Sequence, residues 1–276
     1  MEKRKRVYPI RTNGNRLLCG MLLTAALMVF LSGFMFRNKT DSFFLEPMPE
    51  QTELSLNETF DETPSETVID LPEYRWFALQ TGVFEKEEAA RQSALAFQKR
   101  GAAGYLWKDG RFRVLAAVYP TQEDARYVRE QLLEQHTIDS YIYNVTFPAV
   151  TLRLKGMQGQ LEILQAALTH AHDLSAALQR IAVAIDRQEI SVQDAVTQIQ
   201  ALHTQLDIVA LRIQQRFPAP VPQTLKALLE CFEEFAVFSD ELTSSESAAA
   251  LGMKLKYQTF AVLWNIQKIY QTLDHT

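Results

Sequence analysis

The chain has 276 residues, a formal net charge of -5 and a charged fraction of 22%. Such a length allows one or two modest domains with appendages. The charge is unevenly placed, because Met1 to Lys39 carries eight Lys/Arg and one acidic residue, whereas Thr40 to Glu73 carries ten acidic residues and no basic one. This asymmetry excludes a uniformly basic nucleic-acid binder. There are two cysteines, Cys19 and Cys231, and because Cys19 lies in an apolar run we expect neither a stabilising disulfide nor a metal framework.

The first element along the chain is an uncharged apolar run, Leu17 to Phe36, between Arg16 and Arg37. As a helix it would be about 30 Å long, the thickness of a hydrocarbon core. The basic residues before it predict that residues 1–16 are a cytoplasmic tail. A cleaved signal peptide is the alternative, but its apolar region would be about 7–15 residues long and end at small residues. The sequence therefore predicts a membrane-spanning helix at 17–36, with the bulk of the chain outside the cytoplasm.

Residues 37–72 are rich in proline, serine, threonine and carboxylates. Their apolar residues show no sustained period of two or 3.6, and like charges repel one another. A segment of this composition buries too little apolar surface to offset its chain entropy. We expect a disordered acidic linker.

The pattern changes at residue 73, where strand and helix signals alternate up to residue 148. Tyr74 to Gln80 is aromatic-rich and predicts a strand, and Glu85 to Arg100 has the charge pattern of a helix that ends at a glycine. Two further strands meet at Asp109-Gly110, a strong hairpin signal. A second helix follows Thr121, and Ile138 to Phe147 predicts the last strand. The order βαββαβ predicts a ferredoxin-like domain with both helices on one face of the sheet.

The other face of this sheet has no covering element inside the domain. Because side chains alternate along a strand, we expect one set of aromatic and polar residues there: Trp76, Gln80, Tyr105, Trp107, Arg111, Arg113, Tyr141 and Tyr143. Aromatic rings suit the faces of sugars, while Gln and Arg donate hydrogen bonds to their oxygens. The alternative is an ordinary amphipathic sheet face that the C-terminal helices cover.

The segment Trp76 to Phe84, the run Arg113-Val114-Leu115 after the turn, and the break at Tyr119-Pro120-Thr121 before a helix resemble a SPOR (sporulation-related repeat) domain. The resemblance covers about residues 74–147. It implies binding to peptidoglycan, preferentially to glycan strands stripped of stem peptides at division septa, with Gln80 and Arg113 at glycan-contacting positions. Val83 and Arg111 depart from residues that are common in the family, and these departures leave the glycan affinity open.

Residues 149–276 carry apolar residues that step by three or four from Val150 to Ile185, then three further helical stretches. Ser191 and Asp194 predict a capping box at the start of the second. We expect a C-terminal bundle of four helices, with a dimeric coiled coil as the alternative. His170, His172 and Asp173 are close in sequence, but residues two apart on a helix do not share a face, which disfavours metal ligation.

Together these features predict an α+β fold class: a transmembrane helix, an acidic linker, a ferredoxin-like domain and an all-α bundle. The predicted function is non-enzymatic peptidoglycan binding at division or sporulation septa, with no cofactor, metal or catalytic residue. A membrane scaffold whose bundle docks a partner protein is the alternative. RNA binding shares the strand order, but the third strand lacks the RNP1 signature and the predicted topology is extracytoplasmic. The predicted partners are peptidoglycan glycan strands, the membrane and a protein or second copy bound by the helices.

Overall fold

A computed structural model describes residues 63–218 and 220–273. In these ranges the chain forms six strands and six helices. The strands are β1 (Pro64–Leu71), β2 (Tyr74–Phe84), β3 (Tyr105–Lys108), β4 (Phe112–Tyr119), β5 (Tyr141–Phe147) and β6 (Val150–Met157). The helices are α1 (Glu87–Gln98), α2 (Gln122–His136), α3 (Gln158–Asp186), α4 (Val192–Arg216), α5 (Gln223–Asp240) and α6 (Ala248–Leu273).

Strands β2 to β5 form one antiparallel sheet in the order β3-β4-β2-β5. With α1 and α2 they give the βαββαβ order and the strand arrangement of a ferredoxin-like unit. Both helices pack on one face of the sheet. Ala90 and Ala94 of α1 lie against Val114, and Ala125 of α2 lies in the same cluster as Leu79.

Helices α3 to α6 form the bundle, in which α3 contacts α4, α5 and α6. The capping box at the start of α4 is present. The Asp194 amide donates to Ser191 Oγ over 3.1 Å, and the Ser191 amide donates to Asp194 Oδ2 over 3.2 Å. These two bonds satisfy amide groups that the first turn of a helix cannot pair internally.

Helix α6 is buried on two sides, since it packs against α3 and α5 and also against the sheet. Leu251, Leu255 and Leu263 are fully buried. Tyr257, Phe260 and Trp264 form a second stripe at spacings of three and four, and their rings contact aromatic rings of β3. A helix that is apolar on two faces is typical of an element enclosed between two layers.

The sheet and the bundle therefore share one core. The largest cluster of buried residues runs without a break from Trp76 and Val145 in the sheet to Leu178, Phe235 and Ile266 in the bundle. The packing gives a three-layer order, with α1 and α2 on one side of the sheet and the bundle on the other.

Strands β1 and β6 form a separate two-stranded antiparallel sheet, in which Pro64 lies opposite Met157 and Leu71 lies opposite Val150. Ile69, Leu71 and Leu152 of this sheet are buried in the large core. The strand before the ferredoxin-like unit thus pairs with the strand that follows it.

Two predictions about the segment boundaries are wrong. The disordered linker was expected to extend to residue 72, yet residues 64–71 are β1, because Thr67, Ile69 and Leu71 alternate with exposed side chains and turn toward the core. The bundle was expected to begin at residue 149, yet residues 150–157 are β6. The spacing of three and four from Val150 matched a helix, but Leu152 extends an alternation that favours a strand.

The predicted fold class is corrected as well. No helix among residues 63–218 and 220–273 is long and apolar enough to cross a membrane, whereas the predicted class included such a helix. The described part of the chain is α+β, with six helices and two small sheets. The segment that suggested the membrane span, Leu17 to Phe36, lies outside the described residues, as do the cytoplasmic tail and most of the linker.

A polar network joins the sheet to the bundle near Tyr74. The Tyr74 hydroxyl lies 2.9 Å from Ser175 Oγ, and the Tyr270 hydroxyl lies 3.3 Å from His172 Nε2. The His172 ring also packs edge-on against both tyrosine rings. Burial lowers the pKa of the His172 imidazole to about 4.

We predict that replacing Trp76 with Ala lowers the free energy of unfolding by about 3–5 kcal/mol, because it opens a cavity in the shared core. Chemical denaturation monitored by circular dichroism measures this loss. Leu95→Ala, at an exposed position on α1, is the matched control and should change stability by less than about 1 kcal/mol. A Trp76 variant as stable as the control would contradict the shared core.

We also predict that the protein loses stability as the pH falls from about 6.5 to about 4. In this range the unfolded chain binds a proton on His172 that the folded chain does not, so protonation favours unfolding. The variant His172→Gln should show a smaller loss between pH 7 and pH 5 in the same denaturation experiment. An identical pH dependence in the variant would show that His172 is not the group responsible.

Candidate glycan-binding site

The structure separates the eight predicted site residues into a covered and an uncovered group. Trp76 and Trp107 are each only 2% exposed, and Tyr105 packs against the same core. Gln80, Arg113 and Tyr143 form a polar cluster at one end of the sheet face, in which Gln80 is only 9% exposed and the other two are half-buried. The two remaining residues, Arg111 and Tyr141, are exposed.

The covered group is a correction to the predicted open face. The Tyr105 ring stacks on Phe260 with 5.4 Å between centroids, and the Trp107 ring meets Trp264 edge-on at 5.0 Å. The aromatic stripe of α6 occupies the surface that was predicted to receive a sugar. The alternative considered from the sequence, a sheet face covered by the C-terminal helices, holds for this part of the face. Burying these rings removes a large apolar area from water.

Arg111 occupies a different place from the one predicted. Lys108 pairs with Phe112, so the hairpin loop consists of Asp109, Gly110 and Arg111. Gly110 has a φ of 82°, a conformation that glycine adopts without steric cost. Arg111 is therefore an exposed loop residue and not part of the sheet face.

Asp109 brings the uncovered polar residues together. Arg113 Nε donates to both carboxylate oxygens of Asp109 over 2.8 Å, and the Tyr143 hydroxyl donates to Asp109 Oδ2 over 2.8 Å. Arg113 Nη1 donates to Gln80 Oε1 over 2.7 Å, and its guanidinium carbon lies 4.6 Å from the centre of the Tyr143 ring. We refer to Gln80, Asp109, Arg113 and Tyr143 as the Arg113 cluster.

The sheet register explains why these four residues meet. Arg113 lies opposite Trp107 on β3, and Tyr143 lies opposite Ala78 on β2. The pairing of β2 with β4 shifts at Gln80. A bulge of this kind re-aims side chains and recurs next to functional sites.

The charges in the Arg113 cluster are largely balanced, since the guanidinium and the carboxylate form an ion pair with side-chain exposures of 19% and 29%. The pKa of Tyr143 is raised to about 12, first by burial and then by its hydrogen bond to Asp109 and that residue's negative charge. Tyr143 therefore keeps its proton at neutral pH and acts as a hydrogen-bond donor.

Several donors of the cluster have no partner among residues 63–218 and 220–273. Only Nε and Nη1 of Arg113 are engaged there, although a guanidinium carries five N–H groups. The Gln80 amide nitrogen likewise donates to no described residue. Tyr141, which is 66% exposed, lies opposite Gln80 in the β2–β5 pairing, so the two side chains are neighbours on one face.

The described residues contain no group of three or more His, Cys, Asp or Glu that could hold a metal ion. Cys231 is fully buried in the bundle, and burial, with the charge of Glu234, raises the pKa of its thiol to about 12. Such a thiol is not a nucleophile at neutral pH. Burial also lowers the pKa of His170 and of His172, which leaves both imidazoles neutral.

Two features of the site were missed in the sequence. Asp109 was interpreted only as a turn residue, although its position four residues before Arg113 across a hairpin was a signal for an ion pair. The aromatic stripe of α6 was also missed as a cover for the sheet. The spacing of Tyr257, Phe260 and Trp264 is present in the sequence. The leucine stripe on the same helix was sufficient to predict its packing in the bundle, so the aromatic stripe was not assigned a second contact.

Comparisons with known proteins found no matching family model, no matching curated protein and no matching solved structure. The resemblance to SPOR domains thus remains a prediction from the sequence.

We predict that Asp109→Asn lowers the pKa of Tyr143 below its value of about 12 in the unmodified protein, because the substitution removes the negative charge beside the hydroxyl. The pKa should stay above 10, since burial is the larger cause. NMR titration of carbon-labelled tyrosines, assigned with Tyr143→Phe, measures the shift. Glu87→Gln, on the exposed surface of α1, is the control and should leave this titration unchanged.

Proposed function

We propose that this protein is a non-enzymatic binder of peptidoglycan glycan strands from which the stem peptides have been removed. The observation that carries the proposal is the Arg113 cluster, in which N–H donors without a partner among the described residues lie beside exposed Tyr141 at one end of the sheet face. The resemblance of residues 74–147 to SPOR domains supports the same function, with Gln80 and Arg113 as the shared contact residues.

The balanced charge of the Arg113 cluster favours contact with the neutral polar groups of a ligand. Because Asp109 already neutralises Arg113, the cluster has little net attraction for phosphate. It still offers N–H donors from Arg113 and Gln80, together with lone pairs on the Asp109 carboxylate. Hydroxyl and acetamido groups of amino sugars can accept from these donors and donate to that carboxylate.

Tyr141 and Arg111 complete the proposed contact surface. The exposed Tyr141 ring gives an apolar plane on which the face of a sugar can lie. Arg111 carries an exposed positive charge in the hairpin loop. Removing a stem peptide frees a lactyl carboxylate on the muramic acid residue, and an exposed guanidinium favours this product over the intact strand.

The site is narrower than the one predicted from the sequence. Trp76, Tyr105 and Trp107 are covered by the bundle and are not offered as contact residues. Binding through the remaining surface should be weak for a single sugar and should gain strength from the repetition of the glycan polymer.

A second function, docking of a partner protein, is favoured by one observation. The bundle is fused to the sheet through a continuous core, and it offers a large helical surface beyond the sugar-sized cluster. In this alternative the ferredoxin-like unit supports the bundle and binds no glycan.

The proposed ligand lies outside the cytoplasm. This requirement agrees with the predicted localisation at the cell membrane, with the bulk of the chain extracytoplasmic and concentrated at division or sporulation septa. That localisation, like the choice between the two kinds of septum, remains a prediction.

We predict that the full-length protein co-sediments with purified sacculi and does so more strongly after amidase treatment. Tyr141→Ala and Arg111→Ala should each weaken binding to treated sacculi about ten-fold, or ~1.4 kcal/mol. Both residues are exposed and outside the core, so their variants should fold normally. Leu133→Ala and Arg126→Ala, at exposed positions on α2, are the matched controls and should bind like the unmodified protein.

Three outcomes of this experiment would count against the proposed function. Equal sedimentation of all five proteins would show that Tyr141 and Arg111 are not part of the contact surface. A failure of amidase treatment to increase binding would remove the proposed role of the lactyl carboxylate. Absence of any sedimentation would favour the docking function of the bundle.

A further inference from the structure

Within the described part of the chain, strand β6 pairs on one side only and leaves its other edge free. In the β1–β6 register, Gly156 lies opposite Ser65 and Leu152 lies opposite Ile69. The Gln158 amide donates to the Thr63 carbonyl oxygen over 3.0 Å. Antiparallel strands exchange hydrogen bonds only at every second residue pair. Because Gln158 bonds to Thr63, every second residue before Gln158 also bonds to β1, and these are the even-numbered residues of β6.

The odd-numbered residues Thr151, Arg153 and Lys155 therefore turn their N–H and C=O groups away from β1. No second strand pairs with β6 among residues 63–218 and 220–273. The free edge from Thr151 to Lys155 is about 13 Å long, at about 3.3 Å per residue. It presents three backbone donors and three acceptors in the pattern that an added strand would match.

An apolar groove lies along this free edge. It has a volume of about 450 Å³ and is lined by every residue of β6 from Val150 to Gly156. Leu161 and Leu164 of α3 line it as well, and Phe217 and Leu273 add further apolar surface. No residue of β1 contributes to the lining, which agrees with a position on the far side of β6.

The charges beside the groove indicate what kind of strand it accepts. Arg153 and Lys155 are exposed on the solvent side of β6, while Leu152 and Leu154 turn toward the bundle. Arg153 has no ion-pair partner among the described residues, and Lys155 pairs with Glu66 over 3.3 Å at a highly exposed site. Charged residues on an edge discourage pairing with arbitrary strands, but they attract a strand of opposite charge.

We infer that the free edge of β6 and the adjoining groove bind an extended segment of a partner protein in which apolar and acidic residues alternate. The segment adds to β6 as a third strand, with its apolar side chains in the groove and its carboxylates beside Arg153 and Lys155. Main-chain hydrogen bonds supply affinity and the alternate side chains supply specificity, as in other cases of strand addition. A second copy of the chain fits less well, because pairing β6 with β6 would bring the cationic residues of both copies together.

The test uses the full-length protein and a fluorescein-labelled peptide of alternating leucine and glutamate, about as long as β6. We expect binding by fluorescence anisotropy, and at least ten-fold weaker binding of the matching leucine–lysine peptide. Arg153→Glu should remove this preference, because Lys155 then balances the new carboxylate. Equal binding of both peptides by the unmodified protein would overturn the inference.

Backbone pairing is tested by two peptides that are N-methylated either on every leucine or on every glutamate. Successive N–H groups of a strand point to opposite edges, so only one of the two methylated peptides should lose binding. Loss or retention of binding by both would contradict strand addition. This readout does not depend on any change to the protein.

Proline variants give a matched pair on the two edges of the small sheet. Thr151→Pro removes an N–H from the free edge of β6 and should weaken binding at least ten-fold. Val68→Pro removes an outward N–H from β1 on the opposite edge and should leave binding unchanged. Neither backbone N–H bonds to the neighbouring strand, so both variants should fold, as circular dichroism can verify. Thr151→Pro also removes the exposed hydrogen bond from Thr151 Oγ1 to Asp70 Oδ1, so Thr151→Val, which removes that bond but keeps the N–H, is its control and should bind like the unmodified protein.

Two other occupants of the groove would overturn the inference in recognisable ways. If only a variant that lacks residues 41–62 binds the leucine–glutamate peptide, the groove of the unmodified protein is occupied by its own acidic segment. A dimer that Thr151→Pro dissociates, as measured by light scattering, shows that the edge pairs with a second copy.

Discussion

The packing of α6 across the sheet is the contact on which the rest of the structure depends. A sheet with α1 and α2 on one face leaves its other face in water, and in this chain that face carries two tryptophans. Trp264 and Phe260 of α6 cover it, and α6 is also enclosed by α3 and α5. One helix is therefore part of two cores, and burial of its aromatic stripe joins the ferredoxin-like unit and the bundle into a single body.

This packing also decides where a ligand can bind. The centre of the sheet face is closed, so only the end beyond Trp107 is accessible, and there Asp109 gathers Gln80, Arg113 and Tyr143 into one network. The network is held by charge-assisted bonds and by a tyrosine that stays protonated, so the side chains are preorganised before any ligand arrives. A preorganised but small site is suited to a repetitive polymer.

The sequence was sufficient for the elements with strong local signals and insufficient where two patterns overlapped. The glycine breaks and the alternation of apolar and polar residues predict the βαββαβ order. Ser191 and Asp194 alone predict the capping box. Residues 150–157 were ambiguous, because Val150 and Leu154 satisfy a helical spacing while Leu152 satisfies an alternating one, and only the pairing with β1 decides between them. Arg113 and Gln80 lie on one face, as the alternation predicts, but the contribution of Asp109 depends on a three-residue loop. The burial of Trp107 depends on Trp264 of α6, which lies about 160 residues later in the chain.

The pairing of β1 with β6 has a consequence for the order in which the protein forms. The paired residues of β1 and β6 lie about 80–90 positions apart in the chain, so their pairing costs more loop-closure entropy than the local hairpin of β3 and β4. Compaction of the unit between them shortens the chain that separates the two strands and so lowers the entropy cost of their pairing. During synthesis β1 leaves the ribosome first of all the described elements, yet it must wait for β6. The small sheet thus closes a long-range contact around the whole ferredoxin-like unit.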